Sequence, residues 1–283
     1  GLASGPVPAQ ERYSPFVGSA QENVERMVRL AKLRAGDTVV DLGSGDGRIV
    51  IAAARANGGV RGWGVDLDPK LVDESNAAAR AAGLEARVQF FRRNAFDVDL
   101  RKADVIFMWL WTEVQRMLRT KILAEARPGT RIVTNLWDLG SWEPDEVDEV
   151  EPVRLWIVPA QVAGNWNWRL PLQGKPQLYA AVLEQQFQKV EGVVRTGSRR
   201  GIVHDLRLRG EDISFTISMT MDGLGYVSQR YAGKVTGARM EGKVAVMMAS
   251  GQDADDYRTS ELPWRATRTR GSAYFAPTGL EMH

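Results

Sequence analysis

Apolar positions in the first half of the chain recur in two alternating rhythms. Val24, Met27, Val28 and Ala31 return at helical spacing and predict an amphipathic helix over residues 20–33. Ser19 and Glu22 have the spacing of a capping box. Gly36-Asp37 ends that helix and Thr38–Leu42 reads as a short buried strand. A helix over 49–56 and a strand over 62–67 follow. Asp68-Pro69 then supplies a cap and a proline for a helix running to residue 82. Residues 87–91 and 104–110 are expected as the third and fourth strands. Thr112–Glu125 is expected as a helix with Val114, Met117, Leu118 and Ile122 on one face, closed by Pro128-Gly129, and 131–136 as a fifth strand. Alternation of this kind predicts an α/β fold, a mostly parallel doubly wound sheet covered on both faces.

Beyond about residue 160 the rhythm changes to a period of two. Ile213, Phe215, Ile217, Met219 and Met221 alternate with Ser214, Thr216, Ser218 and Thr220, the signature of a half-buried strand. Asp222-Gly223 supplies a turn and 226–231 a hairpin partner. Gly233, Gly237 and Gly242 punctuate further short apolar runs. The expectation is a second, all-β antiparallel domain, a small barrel or curled meander. The organisation read from these rhythms is an N-terminal arm over 1–18, an α/β domain over 19–160 and a β domain over 161–283. Trp156, Trp166 and Trp168 flank the change of character and are expected to pack the two domains together.

Composition narrows the chemistry. The chain has 283 residues, 37 Lys and Arg against 35 Asp and Glu, and a net charge of +2, too even to argue for a nucleic-acid or membrane partner. It has no cysteine and two histidines, His204 and His283, so thiolate chemistry is excluded and a histidine metal site is not expected. No apolar run has the length of a membrane span. The opening GLASGPVPAQ lacks Met and an apolar signal core and is consistent with a processed precursor; a cytoplasmic location is the expectation.

The chemistry-bearing stretch is VVDLGSGDGRIV, residues 39–50. In an open parallel sheet, ligands sit beyond the C-terminal strand ends, and glycines there let a ligand approach backbone amides at a helix N-terminus. Asp66, at the end of the next strand, lies where a carboxylate can accept hydrogen bonds from both ribose hydroxyls. A dinucleotide fingerprint would need a glycine where Arg48 stands, so the pattern is D-x-G-x-G-x-G instead. In these residues the chain resembles class I S-adenosylmethionine-dependent methyltransferases, over roughly residues 16–160. The resemblance implies S-adenosylmethionine as cofactor and S-adenosylhomocysteine as product. It implies that Gly43, Ser44 and Gly45 approach the cofactor, that Asp41 holds its amino-acid end and Asp66 its ribose, and that Leu67, Asn94 and Ala95 lie at the adenine. Asn94 stands where the family usually has aspartate, and its amide oxygen can still accept a hydrogen bond.

A narrower resemblance, carried by VRLAKLRAGDTVVDLGSGDGRIVIAAA, is to bacterial and mitochondrial proteins that include protein-lysine methyltransferases. Where those have a Y-V-P-S/T segment this chain has Phe16-Val17-Gly18-Ser19, with Tyr13 just upstream. The fourth strand ends in Phe107-Met108-Trp109-Leu110-Trp111, without the N/D-P-P-Y/F motif of enzymes that methylate planar nitrogens, which argues against adenine-N6 and glutamine acceptors. Candidates for an acceptor pocket are Trp109, Trp111, Glu113, Phe16, Tyr13 and Trp137. The implied activity is N-methylation of an amine, a protein lysine among the options. Small-molecule methylation with the β domain as lid or oligomerisation module, and a non-catalytic nucleoside-binding protein, stand as alternatives. Expected partners are a protein or small-molecule acceptor and a second copy of the chain. The β domain carries no recognisable catalytic set, and its arginines, Arg199, Arg200, Arg265, Arg268 and Arg270, read as a solvated face.

Overall fold

The computed structural model describes residues 19–148, 152–249 and 257–269. The chain divides into two compact units, Gly1–Ile157 and Val158–His283.

Unit 1 runs α1 (Ser19–Leu30), β1 (Thr38–Leu42), α2 (Arg48–Ala56), β2 (Arg61–Asp66), α3 (Pro69–Ala81), β3 (Val88–Arg92), β4 (Val105–Met108), α4 (Thr112–Glu125), β5 (Arg131–Asn135), β6 (Glu146–Asp148) and β7 (Val153–Ile157). Its sheet has the order β3-β2-β1-β4-β5-β7-β6, parallel except for β7 and β6. The strand order reverses between β1 and β4. Local chemistry sets the boundaries. Asp68 caps α3 by accepting the Lys70 N–H at 2.9 Å, and Pro69 is the first helical residue. The capping pair read at Ser19 and Glu22 involves a side chain outside the described residues.

Val24 and Met27 of α1 and Ala31 just past its end, Ile49 and Val50 of α2, and Val72 and Ala79 of α3 share one core with Val39, Val105, Phe107 and Val133 of the sheet. Right-handed crossovers then put α4, which moves the chain the other way across the sheet, on the opposite face. Here the expectation of a sheet covered on both faces needs correction. Between β3 and β4 the chain forms only the 3₁₀ turn Ala95–Asp97. On α4's side of the sheet no helix among the described residues lies over β2 and β3, so Gln89 and Phe91 are exposed and Trp63 is half-buried.

Unit 2 is an antiparallel sheet of β8 (Gly164–Leu172), β9 (Lys175–Gln186), β10 (Lys189–Thr196), β11 (Arg199–Ile202), β12 (His204–Arg209), β13 (Asp212–Met221), β14 (Gly225–Thr236), β15 (Arg239–Ala249) and β16 (Tyr257–Thr269). Its order is β11-β10-β9-β8-β16-β15-β14-β13-β12. The two ends of that order, β11 and β12, follow one another in the chain on either side of Val203, whose N–H donates to Gly192 of β10. They act as two halves of one bent strand, one half pairing β10 and the other β13, so the sheet curls into a nearly closed up-and-down barrel with about eight strand positions. That size leaves an interior that side chains can fill, and aromatic rings fill it. Trp168 stacks on Tyr179 at 5.1 Å, Phe215 on Tyr231 at 4.6 Å, and Trp264 stands edge-on to Phe215 and Tyr231. The Trp168 indole N–H donates to Tyr231 Oη at 3.2 Å, and that hydroxyl donates to Gln229 Oε1 at 2.7 Å.

Each of the boundary tryptophans packs within its own unit. Trp156 is buried in unit 1, edge-on to Trp142 and donating to its carbonyl at 2.8 Å. Trp166 and Trp168 belong to the barrel core. Of the basic residues, Arg199 pairs with Asp222 and Arg265 with Glu241, while Arg268 lies over the Trp166 ring at 5.0 Å; Arg270 lies outside the described residues.

Candidate active site

Past the end of β1 the chain turns through Gly43-Ser44-Gly45-Asp46-Gly47 into α2. The N–H groups of Gly43 and Ser44 both donate to the Val65 carbonyl, at 2.9 and 2.8 Å, which pins the turn against β2. Gly43 and Gly45 sit at φ +88° and +54°, the left-handed region that favours glycine. A Cβ on Gly43 would run into Leu110, whereas one on Gly45 would meet nothing within 4 Å. The first glycine is needed for packing, and the second faces open space at a helix N-terminus. Asp66 reaches under this turn. Its Oδ2 accepts the Gly45 N–H at 3.0 Å and its Oδ1 the Asp68 N–H at 2.9 Å.

Asp41 is buried, and neither of its carboxylate oxygens has a hydrogen-bond partner. Burial, reinforced by the negative charges of Asp66 and Asp46, pushes its carboxyl up to about 8. Ser44 Oγ is also buried and unpartnered, as are both amide atoms of Asn135 at the end of β5. Register puts Asp41, Phe107 and Val133 in one row, and Asn135, two residues beyond Val133, faces the same side. Asp46 is different: hydrogen bonds from the Arg48 guanidinium hold its carboxyl below the usual range. Native proteins seldom leave buried polar groups unpaired, so a cluster of orphans at one strand-end rim points to a missing ligand.

The other sequence candidates fall on the same rim. Leu67, exposed, follows the end of β2, and Asn94 and Ala95 follow the end of β3. The Asn94 amide oxygen accepts the Phe96 N–H at 3.0 Å, capping the 3₁₀ turn, and keeps a second lone pair. Beyond β4, Trp109 is half-buried against the core and serves as packing. Trp111 and Trp137 are exposed, with ring centroids 6.3 Å apart and planes at 31°. Glu113 is exposed in the first turn of α4, where an acid favours the helix dipole. Asp138, beside Trp137, is held below the usual carboxylate range by the Gly140 N–H and then by Arg116. Tyr13 and Phe16 lie outside the described residues.

One residue escaped the sequence reading. Gln115 is fully buried, and its Oε1 accepts the Leu110 N–H at 3.1 Å while its Nε2 donates to the carbonyls of Trp137 and Asp138 at 3.1 and 3.3 Å. It ties the end of β4 to the end of β5. The helix face was drawn one step off: Gln115, Leu118 and Ile122 are the buried stripe and Met117 is exposed. A glutamine at i, i+3, i+7 spacing with two buried aliphatics was the available signal. The turn it holds is strained, with Leu136 at φ +67°, its N–H on the Pro152 carbonyl and its own carbonyl on Arg154.

Comparisons with known proteins agree with this arrangement. A family described as the ANTKMT methyltransferase domain matches residues 41–146. A protein-lysine N-methyltransferase of Saccharolobus islandicus is 37% identical over 49% of this chain and 86% of its own length. The adenine nucleotide translocase lysine N-methyltransferase of mouse is 35% identical over 53% of this chain, which spans 65% of that enzyme. A crystal structure of an RNA methyltransferase from Salinibacter ruber with S-adenosyl-L-homocysteine, 37% identical, covers 52% of this chain and 96% of its own with a TM-score of 0.49. With a strand-end rim of unpaired polar groups around a glycine turn, and a relative matched over most of its length, the chain belongs to the lysine-methyltransferase-like group of class I S-adenosylmethionine-dependent methyltransferases.

Proposed function

We propose that the enzyme methylates the ε-amine of a lysine in a protein substrate. The observation that carries the cofactor assignment is the Asp41 carboxylate, buried without a partner beside a glycine turn whose Gly45 opens onto free space. S-adenosylmethionine fits such a place because it brings an ammonium and a sulfonium to a site that offers carboxylates with no cation of their own. When bound, it supplies the activated methyl group. The residues of the chain do the rest. Asp41 would hold the amino-acid end, Asp66 would use its remaining lone pairs for the ribose hydroxyls and Asn94 its own for the adenine amino group, and Leu67 and Ala95 would line the ring.

Trp111 and Trp137, both partly exposed, would form an apolar wall beside an incoming side chain, and Gln115 with the Leu136 turn holds the backbone that presents Trp137. A lysine stem suits such a wall. Removal from water lowers the pKa of its amine toward the neutral, nucleophilic form, and the ring faces attract the methylated cation. The names of the Saccharolobus and mouse relatives support lysine as the acceptor.

Two measurements test the reading. Calorimetry with S-adenosylmethionine and S-adenosylhomocysteine should show binding that Asp66→Ala weakens about a hundredfold. Labelled-methyl transfer to a protein extract, followed by total hydrolysis, should place the label in methylated lysine. Label recovered only in small amines, or only in arginine, would overturn the lysine assignment while leaving cofactor binding intact.

A further inference from the structure

The bare face of the unit 1 sheet carries an ordered array. Arg61 and Trp63 on β2, Gln89 and Phe91 on β3 and, just past its end, Arg93 all belong to the same face by strand alternation and register. Pairing puts Trp63 beside Gln89 and Val65 beside Phe91. The result is a cationic end, an aromatic and amide middle, and a second cationic end. From residue 87 to residue 93 an extended strand covers about 20 Å. A groove of ≈ 440 Å³ runs over it, and among the described residues no carboxylate lines that groove.

Arg87 is already committed, donating to the carbonyls of Ala54, Asn57 and Val60. Arg61 and Arg93 have no acidic partner among the described residues, and Phe91 is 41% exposed. An aromatic patch of this kind on a protein surface marks a contact site, and two unpaired guanidiniums bracketing it fix the sign of what comes.

We propose that this face docks an extended acidic polypeptide segment of a partner protein, with carboxylates at the two ends and a large apolar residue seated between Trp63 and Phe91. Charge outside the groove favours a short acidic peptide over a polyanion. Residues 1–157 hold 21 Lys and Arg against 23 Asp and Glu, so the unit lacks the broad positive field that drives nucleic-acid binding. The missing crossover helix between β3 and β4 is the structural reason the face is available at all.

The test is fluorescence anisotropy of a labelled peptide of about twelve residues, Glu and Asp throughout with a central Leu-Phe pair. A peptide with that central pair replaced by Ser-Ser and an oligouridine of equal length are titrated beside it. The protein is the full chain, wild type and Arg61→Glu/Arg93→Glu, two exposed positions whose variant is checked by thermal melt and by calorimetry with S-adenosylhomocysteine. The expected result is saturable binding of the Leu-Phe peptide, at least about tenfold weaker in the folded double variant, weaker for the Ser-Ser peptide, and weakening with salt. A single Phe91→Ser variant should give an intermediate loss. No saturable binding, equal binding by both proteins, or tighter binding of oligouridine would each overturn the proposal. None of these outcomes depends on methyl transfer.

Discussion

Two buried polar clusters, one in each unit, are handled in opposite ways, although Trp264 Nε1, Thr196 Oγ1 and Glu184 Oε1 of the barrel unit also lack partners among the described residues. In the barrel, Trp168, Tyr231 and Gln229 form a closed chain of donors and acceptors within a stack of rings. At the strand-end rim of unit 1, Asp41, Ser44 and Asn135 are just as deeply buried and have no partner. A satisfied interior network rigidifies and specifies a core, whereas an unsatisfied one costs stability that only a ligand repays. The contrast separates a region built to stay as it is from one built to receive something.

Breaking the barrel side gives the largest expected effect. Trp168→Ala removes a ring in contact with Tyr179, Phe215, Tyr231 and Trp264, and should lower the unfolding free energy of the β domain by about 3–5 kcal/mol in chemical denaturation. The affinity for S-adenosylhomocysteine should stay as it was; a parallel loss of affinity would dissolve the contrast between the units. Next is Asp66→Ala at the rim, expected to weaken cofactor binding by about a hundredfold, equivalent to roughly 2.7 kcal/mol, with little change in the melting of the ligand-free protein.

Asp41 sharpens the comparison through pH. Burial pushes its carboxyl up to about 8, well above the ordinary carboxylate range, so the native state holds an extra proton between the two. Stability should therefore fall as pH rises through that window and level off above about 8. Asp41→Asn should flatten this slope, gaining ~1–2 kcal/mol relative to wild type by pH 9 in urea titrations, since a charge can no longer be forced into that site. Because a cationic ligand favours the ionised carboxylate, cofactor binding to the wild type at neutral pH should release protons, detectable as a buffer-dependent enthalpy that the variant lacks. The smallest effect is expected for Gln115→Leu. It should cut turnover about tenfold, on the order of 1.4 kcal/mol, by freeing the backbone under Trp137, while cofactor affinity holds. Loss of both together would make Gln115 a general structural residue instead.

What could be read from the chain follows from what is local. Helix boundaries at Pro69 and Thr112, the glycine turn and the alternation of β13 all rest on chemistry within a few residues, and each is where the pattern put it. Asp41 was visible as a motif residue, but its isolation was not, because being unpartnered depends on what the rest of the fold withholds. Gln115 was hidden by a one-residue error in phase on a helix with weak amphipathic contrast. The bare face over β2 and β3 was invisible because a missing helix leaves no pattern of its own. Nor does the sequence announce a role for Gln185, which lies in a polar stretch with Gln186 and Gln188. Gln185 turns out to clamp the entry to the barrel, accepting the N–H of Val162 at 2.7 Å and donating to the carbonyls of Ala160 and Phe187 at 2.8 Å.

The two halves of the barrel sheet are joined where Trp168 pairs with Ala266 and Asn165 with Thr269, the first described strand of the unit against the last. Neighbouring strands elsewhere in the barrel are hairpins that form as soon as both arms exist, but this seam joins segments about a hundred residues apart, and closing so long a loop is slow. During synthesis the β domain must therefore wait for β16 to leave the ribosome, holding β8 and β15 as open edges until then. A chain stopped before β16 should consequently fail by aggregation rather than by loss of chemistry, and the last strand is the one on which the yield of the whole unit depends.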